Sequence, residues 1–337
     1  MKYVLMIAIL IVLIVLFGVA FLLYLIYNPM LFIKHTRGDG SEESNSNMTY
    51  PDNYPDYERK VKVEYDLKYF STFKNSTFDL YLPKSESKDK KLPVMVWVHG
   101  GGFIAGDKCG VKNLATMTAA SGYSVIALNY QVAPEARYPA AIIQINEFFI
   151  KLRSMGDKYP ELDLNKIFLC GDSAGAQIAS QYTAVITNPE LAKEMNIKPS
   201  LRKEMIAGVI LCSGPFDLPA VLTVKNYKLK YFTTLWGRAY FGKLKWHTSK
   251  EAKQVTIVNH VTSDYPPTYI TDGNVGSFEK QGRRLGEALR NVNVQVKELY
   301  FDVNEQTVNH DYLFNLIDPI SQFAFQDIID FMNSNLD

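Results

Sequence analysis

The sequence predicts an α/β fold: a mostly parallel central sheet with helices on both faces, a helical cap, and one transmembrane helix in front. Three observations carry this. From Val61 onward, short apolar runs alternate with helix-compatible runs, which implies a parallel sheet wound by right-handed crossovers. Within that alternation, residues 217–258 form an interruption dense in aromatic side chains. Ahead of it, Tyr3 to Tyr27 contains no charged residue.

That uncharged run is about 25 residues at about 1.5 Å each, longer than the roughly 30 Å hydrocarbon core of a bilayer. Residues 1–35 are therefore read as a membrane anchor. Small residues at Gly18 and Ala20 would allow cleavage, but apolar residues continue through Ile26, which favours an uncleaved signal anchor. Lys2 and the N-terminal amine oppose Lys34 and Arg37, so flanking charge hardly orients the helix. A water-soluble domain has little need of an anchor unless exported, so the domain is expected outside the cytoplasm. Residues 36–60, polar and containing Gly, Ser, Asn and Pro, read as a linker. Residues 61–337 are read as the main domain, with the cap inserted at about 217–258.

At 337 residues and 47% hydrophobic content, the chain can bury a large core. A net charge of +1, evenly spread, gives no reason to expect nucleic acid as a partner. The three cysteines are an odd count, and Cys170 and Cys212 lie inside apolar strand-like runs, so no disulfide framework is expected.

The alternating Val61–Tyr65 and the run Thr77–Leu82 predict a hairpin. Pro93–Val98 is continuously apolar, as a strand buried on both faces should be. Strands follow at Ser124–Asn129, Lys166–Cys170, Met205–Cys212, Thr268–Asp272 and Val292–Phe301. Helices are expected at Pro139–Arg153, after Ser173, at Phe278–Asn291 and at Pro319–Asn335.

The chemistry centres on Gly171-Asp172-Ser173-Ala174-Gly175, between a strand-like and a helix-like run. In that setting Gly-x-Ser-x-Gly is a tight elbow that exposes a nucleophilic serine at the carboxyl edge of the sheet. The serine needs a base, a group orienting the base, and donors for the developing oxyanion. His99-Gly100-Gly101-Gly102 follows a strand, and its glycines can turn the amides of Gly101 and Gly102 toward one point. The Ala174 amide, at the start of the serine helix, adds a third donor. His99 itself is read as bracing the loop.

Five histidines compete for the base. His35 is next to the membrane, His99 lies in the glycine loop, His247 in the cap, and His260 ahead of its strand. His310 follows the strand Val292–Phe301 after a loop, which puts it at the carboxyl edge. It also comes after the serine in the chain order this arrangement requires.

Three motifs give the chain, from about Val61 to its end, a family resemblance. They are His99-Gly100-Gly101-Gly102-Phe103, the segment Asn129-Tyr130-Gln131-Val132-Ala133-Pro134-Glu135-Ala136-Arg137-Tyr138-Pro139-Ala140-Ala141, and Gly171-Asp172-Ser173-Ala174-Gly175. The chain resembles the hormone-sensitive-lipase-like α/β-hydrolases, most of them carboxylesterases, lipases and deacetylases with a cap over the site. The resemblance implies an acyl-enzyme esterase needing neither metal nor cofactor, acting on a small-molecule or lipid ester.

There is one departure. Where the family has Asp-Pro-Leu, this chain has Gly276-Ser277-Phe278, and the usual catalytic acid is missing. Asp272 is the first candidate to replace it, Glu279 the second and Asp217 the third. The missing aspartate also keeps open a different class, a non-catalytic ligand-binding protein on the same fold.

Overall fold

The computed structural model describes residues 2–30, 33, 37, 48–84, 91–223, 225 and 227–336; His35 and the expected linker between 38 and 47 lie outside them. Among the described residues, one eight-stranded sheet organises the fold. Its strands are β1 Val61–Lys68, β2 Thr77–Pro83, β3 Leu92–Val98, β4 Ser124–Leu128, β5 Leu162–Asp172, β6 Ile206–Cys212, β7 Thr268–Thr271 and β8 Val296–Leu299. Their order across the sheet is β1-β2-β4-β3-β5-β6-β7-β8. β1 and β2 form the expected antiparallel hairpin and β2 runs antiparallel to β4; every other pair is parallel.

Sheet order is what places the site. From β3 the chain winds outward to β4, then returns past β3 to lay down β5 on its other side. Loops leaving the carboxyl ends of β3 and β5 thus diverge, and a crevice opens between them. Both loops carry the motifs singled out above, the glycine loop after β3 and the serine elbow after β5.

Alternation along β3 explains the two-sided core. Val94, Val96 and Val98 face one apolar cluster with the serine helix, while Met95 and Trp97 face another with the C-terminal helix Pro319–Ser334. A strand that feeds both faces must be apolar throughout, and β3 is buried along nearly its whole length. The helices Tyr54–Arg59, Lys112–Ala120 and Pro189–Met195 have no counterpart among the expected elements, and Lys112–Ala120 is the longest of them. In Lys112–Ala120, residues 113–119 are all buried, so no polar face gives that helix a period to read. The strand expected over Val292–Phe301 is shorter, because Val292 still caps the preceding helix.

Between β6 and β7 lie the helices Leu218–Val221, Tyr227–Phe241 and Lys250–Gln254. The cap aromatics pack on one another: Trp246 is buried and stacks on Phe241 at 5.3 Å. Gly237 faces the Trp246 indole, and a Cβ there would overlap it.

The N-terminal helix Lys2–Tyr27 is long and apolar enough to cross a membrane. From Tyr3 to Tyr24 its large apolar side chains are exposed. Closer to the body, Ile33 is buried in the core, Tyr54 is buried, and Thr49 bridges to Asn315. These residues ahead of position 61 pack as part of the body.

Candidate active site

β5 ends in Asp172, and the chain turns at Ser173 with φ 49° and ψ −118°, a conformation rare for a residue with a side chain. Two glycines permit the turn. A Cβ on Gly171 would run into the Gly175 backbone, and a Cβ on Gly175 into the carbonyls of Val98 and His99. Strand and helix are in backbone contact here, and only glycine fits. The Ser173 amide donates to the Cys212 carbonyl at 2.8 Å, tying the elbow to the end of β6.

Opposite stands the glycine loop. Gly101 has φ +110° and Gly102 φ +61°, both in the left-handed region, and the Gly101 carbonyl accepts from the Ile104 and Ala105 amides. Among the described residues, no protein acceptor takes the amides of Gly101, Gly102 or Ala174, and all three residues line one cavity with Ser173. His99 is buried, its Nδ1 2.7 Å from the Gly100 carbonyl and its ring stacked on Tyr130 at 4.4 Å. Burial holds its pKa below the usual histidine value. The segment 129–141 supports the same loop. Asn129 donates to Asp107 at 2.8 Å and the Ala133 amide donates to the Phe103 carbonyl at 2.9 Å. Tyr138 reaches the cap, its amide donating to the Tyr240 carbonyl at 2.8 Å.

Asp172 is buried behind Ser173, accepting from Trp97 Nε1 at 2.7 Å and from the Gly100 amide at 2.8 Å. It joins elbow to glycine loop from below. Burial, then the charge of Asp311, raises it to about 8 against those two hydrogen bonds.

His310 reaches the cavity from the loop after β8, its Nε2 3.0 Å from Ser173 Oγ. Three features hold that loop. Asn274 accepts from the Val308 amide at 2.9 Å and donates to the carbonyls of Phe301 and Gln306. Gly273 lies directly against the Asn309 carbonyl, where a Cβ would overlap backbone. Phe278 packs edge-on to the imidazole at 5.5 Å.

His310 Nδ1 meets Ser277 Oγ at 2.7 Å, and Ser277 Oγ makes a short hydrogen bond to Asp272 Oδ1. Asp272 Oδ2 accepts from the Phe278 amide at 2.9 Å. The other two carboxylates considered from sequence point elsewhere: Glu279 pairs with Arg283 and Asp217 with Arg284, each at 2.7 Å. Burial raises Asp272 to about 6, with the bond from Ser277 and the charge of His310 opposing it. Burial pulls His310 down, but Asp311, Asp272 and Asp172 outweigh it and push the imidazole up to about 9.

Sequence reasoning passed over Ser277, Asp311 and Arg37. Ser277 sits in the departure Gly276-Ser277-Phe278 and was noticed only for what it lacks. Asp311, beside His310 in the chain, turns its Oδ2 to 3.2 Å from His310 Nε2. Arg37 comes from the segment read as linker. It lines the cavity and donates to the Ile104 and Ala133 carbonyls at 2.6 Å and to Glu135 at 2.7 Å. Of the competing histidines, His247 lies in the cap turn Trp246–Thr248, and His260 Nε2 bonds the Lys253 carbonyl at 2.9 Å.

The cavity measures about 590 Å³, with Phe103, Trp236, Phe278 and Phe314 in its walls and Trp236 contributed by the cap. A hydroxyl on an imidazole, sharing a cavity with amides that have no acceptor among the described residues, can open a carbonyl compound by acyl transfer.

The BD-FAE family model matches residues 78–278, more than half of the chain. An acetyl esterase of Salmonella schwarzengrund is 35% identical over 223 residues, covering 64% of this chain and 63% of that one. The esterase LipI of Mycobacterium tuberculosis is 27% identical over 240 residues, covering 69% and 70%. The chain spans between 35% and 74% of the length of the curated relatives that it matches first. Among solved structures, esterase B of Lactobacillus rhamnosis superposes with a TM-score of 0.71 at 19% identity, over 87% of this chain and 90% of that one.

Proposed function

We infer the reaction from the family as premise: the chain belongs to the BD-FAE family, on the hormone-sensitive-lipase-like α/β-hydrolase fold. It is a serine carboxylic-ester hydrolase working through an acyl-enzyme on a small or medium ester. The observation that carries this is Ser173 Oγ at 3.0 Å from His310 Nε2, in one cavity with Gly101, Gly102 and Ala174, whose amides have no acceptor among the described residues.

In this reaction the neutral imidazole takes the Ser173 proton as the oxygen adds to the ester carbonyl. The three amides receive the charge that develops on the carbonyl oxygen. The imidazolium then protonates the leaving alcohol, and water repeats the sequence on the acyl-enzyme. Asp272 supplies the negative charge that favours the imidazolium. A cavity of about 590 Å³ suits a ligand of modest size.

Two measurements test the reading. A fluorophosphonate probe should label the wild type and not Ser173→Ala, and that variant should lose about 10⁶ in turnover of a short activated ester. Retention of even about a tenth of the activity excludes Ser173 as nucleophile. Failure of the wild type both to label and to turn over favours a ligand-binding protein.

The apolar helix Lys2–Tyr27 serves in this reading as an uncleaved anchor, with the catalytic domain, residues 61–337, outside the cytoplasm. Protease added to intact cells should release that domain from the membrane. Protection until lysis would reverse the topology.

A further inference from the structure

We propose that Ser277 is a positioning residue, a hydroxyl relay through which Asp272 orients His310. This rests on the serine-hydrolase reading and adds a fourth side chain to it. The geometry fixes the direction of each proton. A carboxylate brings no hydrogen, so the short contact between Ser277 Oγ and Asp272 Oδ1 is satisfied only when the serine proton lies between them. With that proton committed, Ser277 Oγ can only accept from His310 Nδ1, 2.7 Å away. His310 Nδ1 therefore carries the hydrogen, and the Nε2 lone pair is left for the Ser173 hydroxyl at 3.0 Å. The relay selects the tautomer that a general base requires.

Among the described residues, the hydroxyl has no other hydrogen-bond partner than Asp272 and His310. Ser277 lies between Gly276 and the helix Glu279–Asn291 and does not cap that helix. The helix start is served instead by Asp272, which accepts the Phe278 amide on its second oxygen. Gly276, at φ +66° with open space around it, swings Ser277 in toward His310. The chain lacks a carboxylate at the usual place on this loop; it has a buried one four residues earlier, and the serine spans the difference.

The test is a full-length series with a short soluble ester. Ser277→Ala should lower kcat about a hundredfold with little change in KM, the scale for losing a group that orients an imidazole. Because the Nδ1 hydrogen bond favours the imidazolium, its loss should also lower the pKa of His310 and move the acid limb of kcat/KM to lower pH. The downfield Nδ1 proton resonance should disappear. Ser277→Thr and Ser277→Val, equal in shape but not in hydroxyl, guard against a folding defect. Thr should stay within about threefold of wild type with an unmoved limb, and Val should repeat the Ala loss.

A Ser277→Ala or Ser277→Val enzyme above half the wild-type kcat with an unmoved limb, while Asp272→Asn is down a hundredfold, would overturn the relay. So would an Asp272→Asn enzyme near wild type. Turnover surviving in Ser173→Ala would strike the serine-hydrolase reading itself, which the Ser277 results alone leave standing.

Discussion

On the side of the cavity proposed to hold the oxyanion, the groups offered are backbone amides, and the glycines at 101, 102, 171 and 175 let the chain segments carrying them adopt the turns and approaches they need. On the acid side they are side chains in series, Asp272, Ser277 and His310, around Gly276, whose ideal Cβ would touch nothing. Backbone contact leaves no adjustable atom, so one added methyl displaces a whole segment. Side chains can be exchanged for others of similar reach, so long as the proton path survives. This chain matches the motif of the family it resembles on the first side and departs from it on the second.

Two glycine substitutions break this comparison most directly. In Gly175→Ala the new Cβ meets the Val98 and His99 carbonyls, and the serine helix must move away from β3. The overpacking should cost about 1–3 kcal/mol of stability. Turnover should fall further than that suggests, by about a hundredfold or more, since the Ala174 amide and Ser173 move with the helix. Gly276→Ala meets no atom and carries only left-handed strain, about 1 kcal/mol. Thermal denaturation with an ester assay reads both. Equal losses in the two variants would mean that the acid side is as rigid as the oxyanion side.

This asymmetry also governs what could be read without coordinates. The sheet was legible because β3, β4 and the stretch Ile167–Cys170 of β5 are buried and so run apolar. The serine elbow was legible because the backbone approach dictates glycine at two fixed offsets. His310 followed from topology, since a residue in the loop after the last strand reaches the carboxyl edge. Ser277 was not legible, because its partner His310 lies 33 residues away and the approach depends on how Asn274 and Gly273 seat the intervening loop. Asp311 was hidden for another reason. Its carboxylate faces the imidazole of its own neighbour only because Asp311 takes a left-handed φ of 55°, which no pattern in the sequence announces. Arg37 was concealed by polar, low-pattern surroundings, although three of its contacts reach into the body.

The smallest expected effect concerns Asp311, and it separates the charge around His310 from the relay that orients it. His310 Nε2 has two neighbours, Ser173 Oγ at 3.0 Å and Asp311 Oδ2 at 3.2 Å. The hydroxyl needs a free lone pair on that nitrogen; the carboxylate favours a proton there. With the imidazole pushed up to about 9, the protonated form holds below that pH. At about pH 7 the free base is therefore a minor species, on the order of a hundredth of the molecules, and kcat/KM should climb as pH rises through about 9. Asp311→Asn removes the largest of the charges that raise His310, so the pKa falls and the acid limb moves to lower pH. Each unit of that movement enlarges the free-base fraction about tenfold at neutral pH. The whole gain will not appear as rate, because the same carboxylate also stabilises the imidazolium formed in the transition state. The alkaline plateau should therefore drop as the neutral rate rises, leaving a net gain of a few-fold near pH 7 and profiles that cross. Ser277→Ala moves the same limb in the same direction but lowers the rate throughout, so the two variants are told apart by the sign of the change at neutral pH. A limb unmoved in Asp311→Asn would mean that Asp311 does not set the charge on His310.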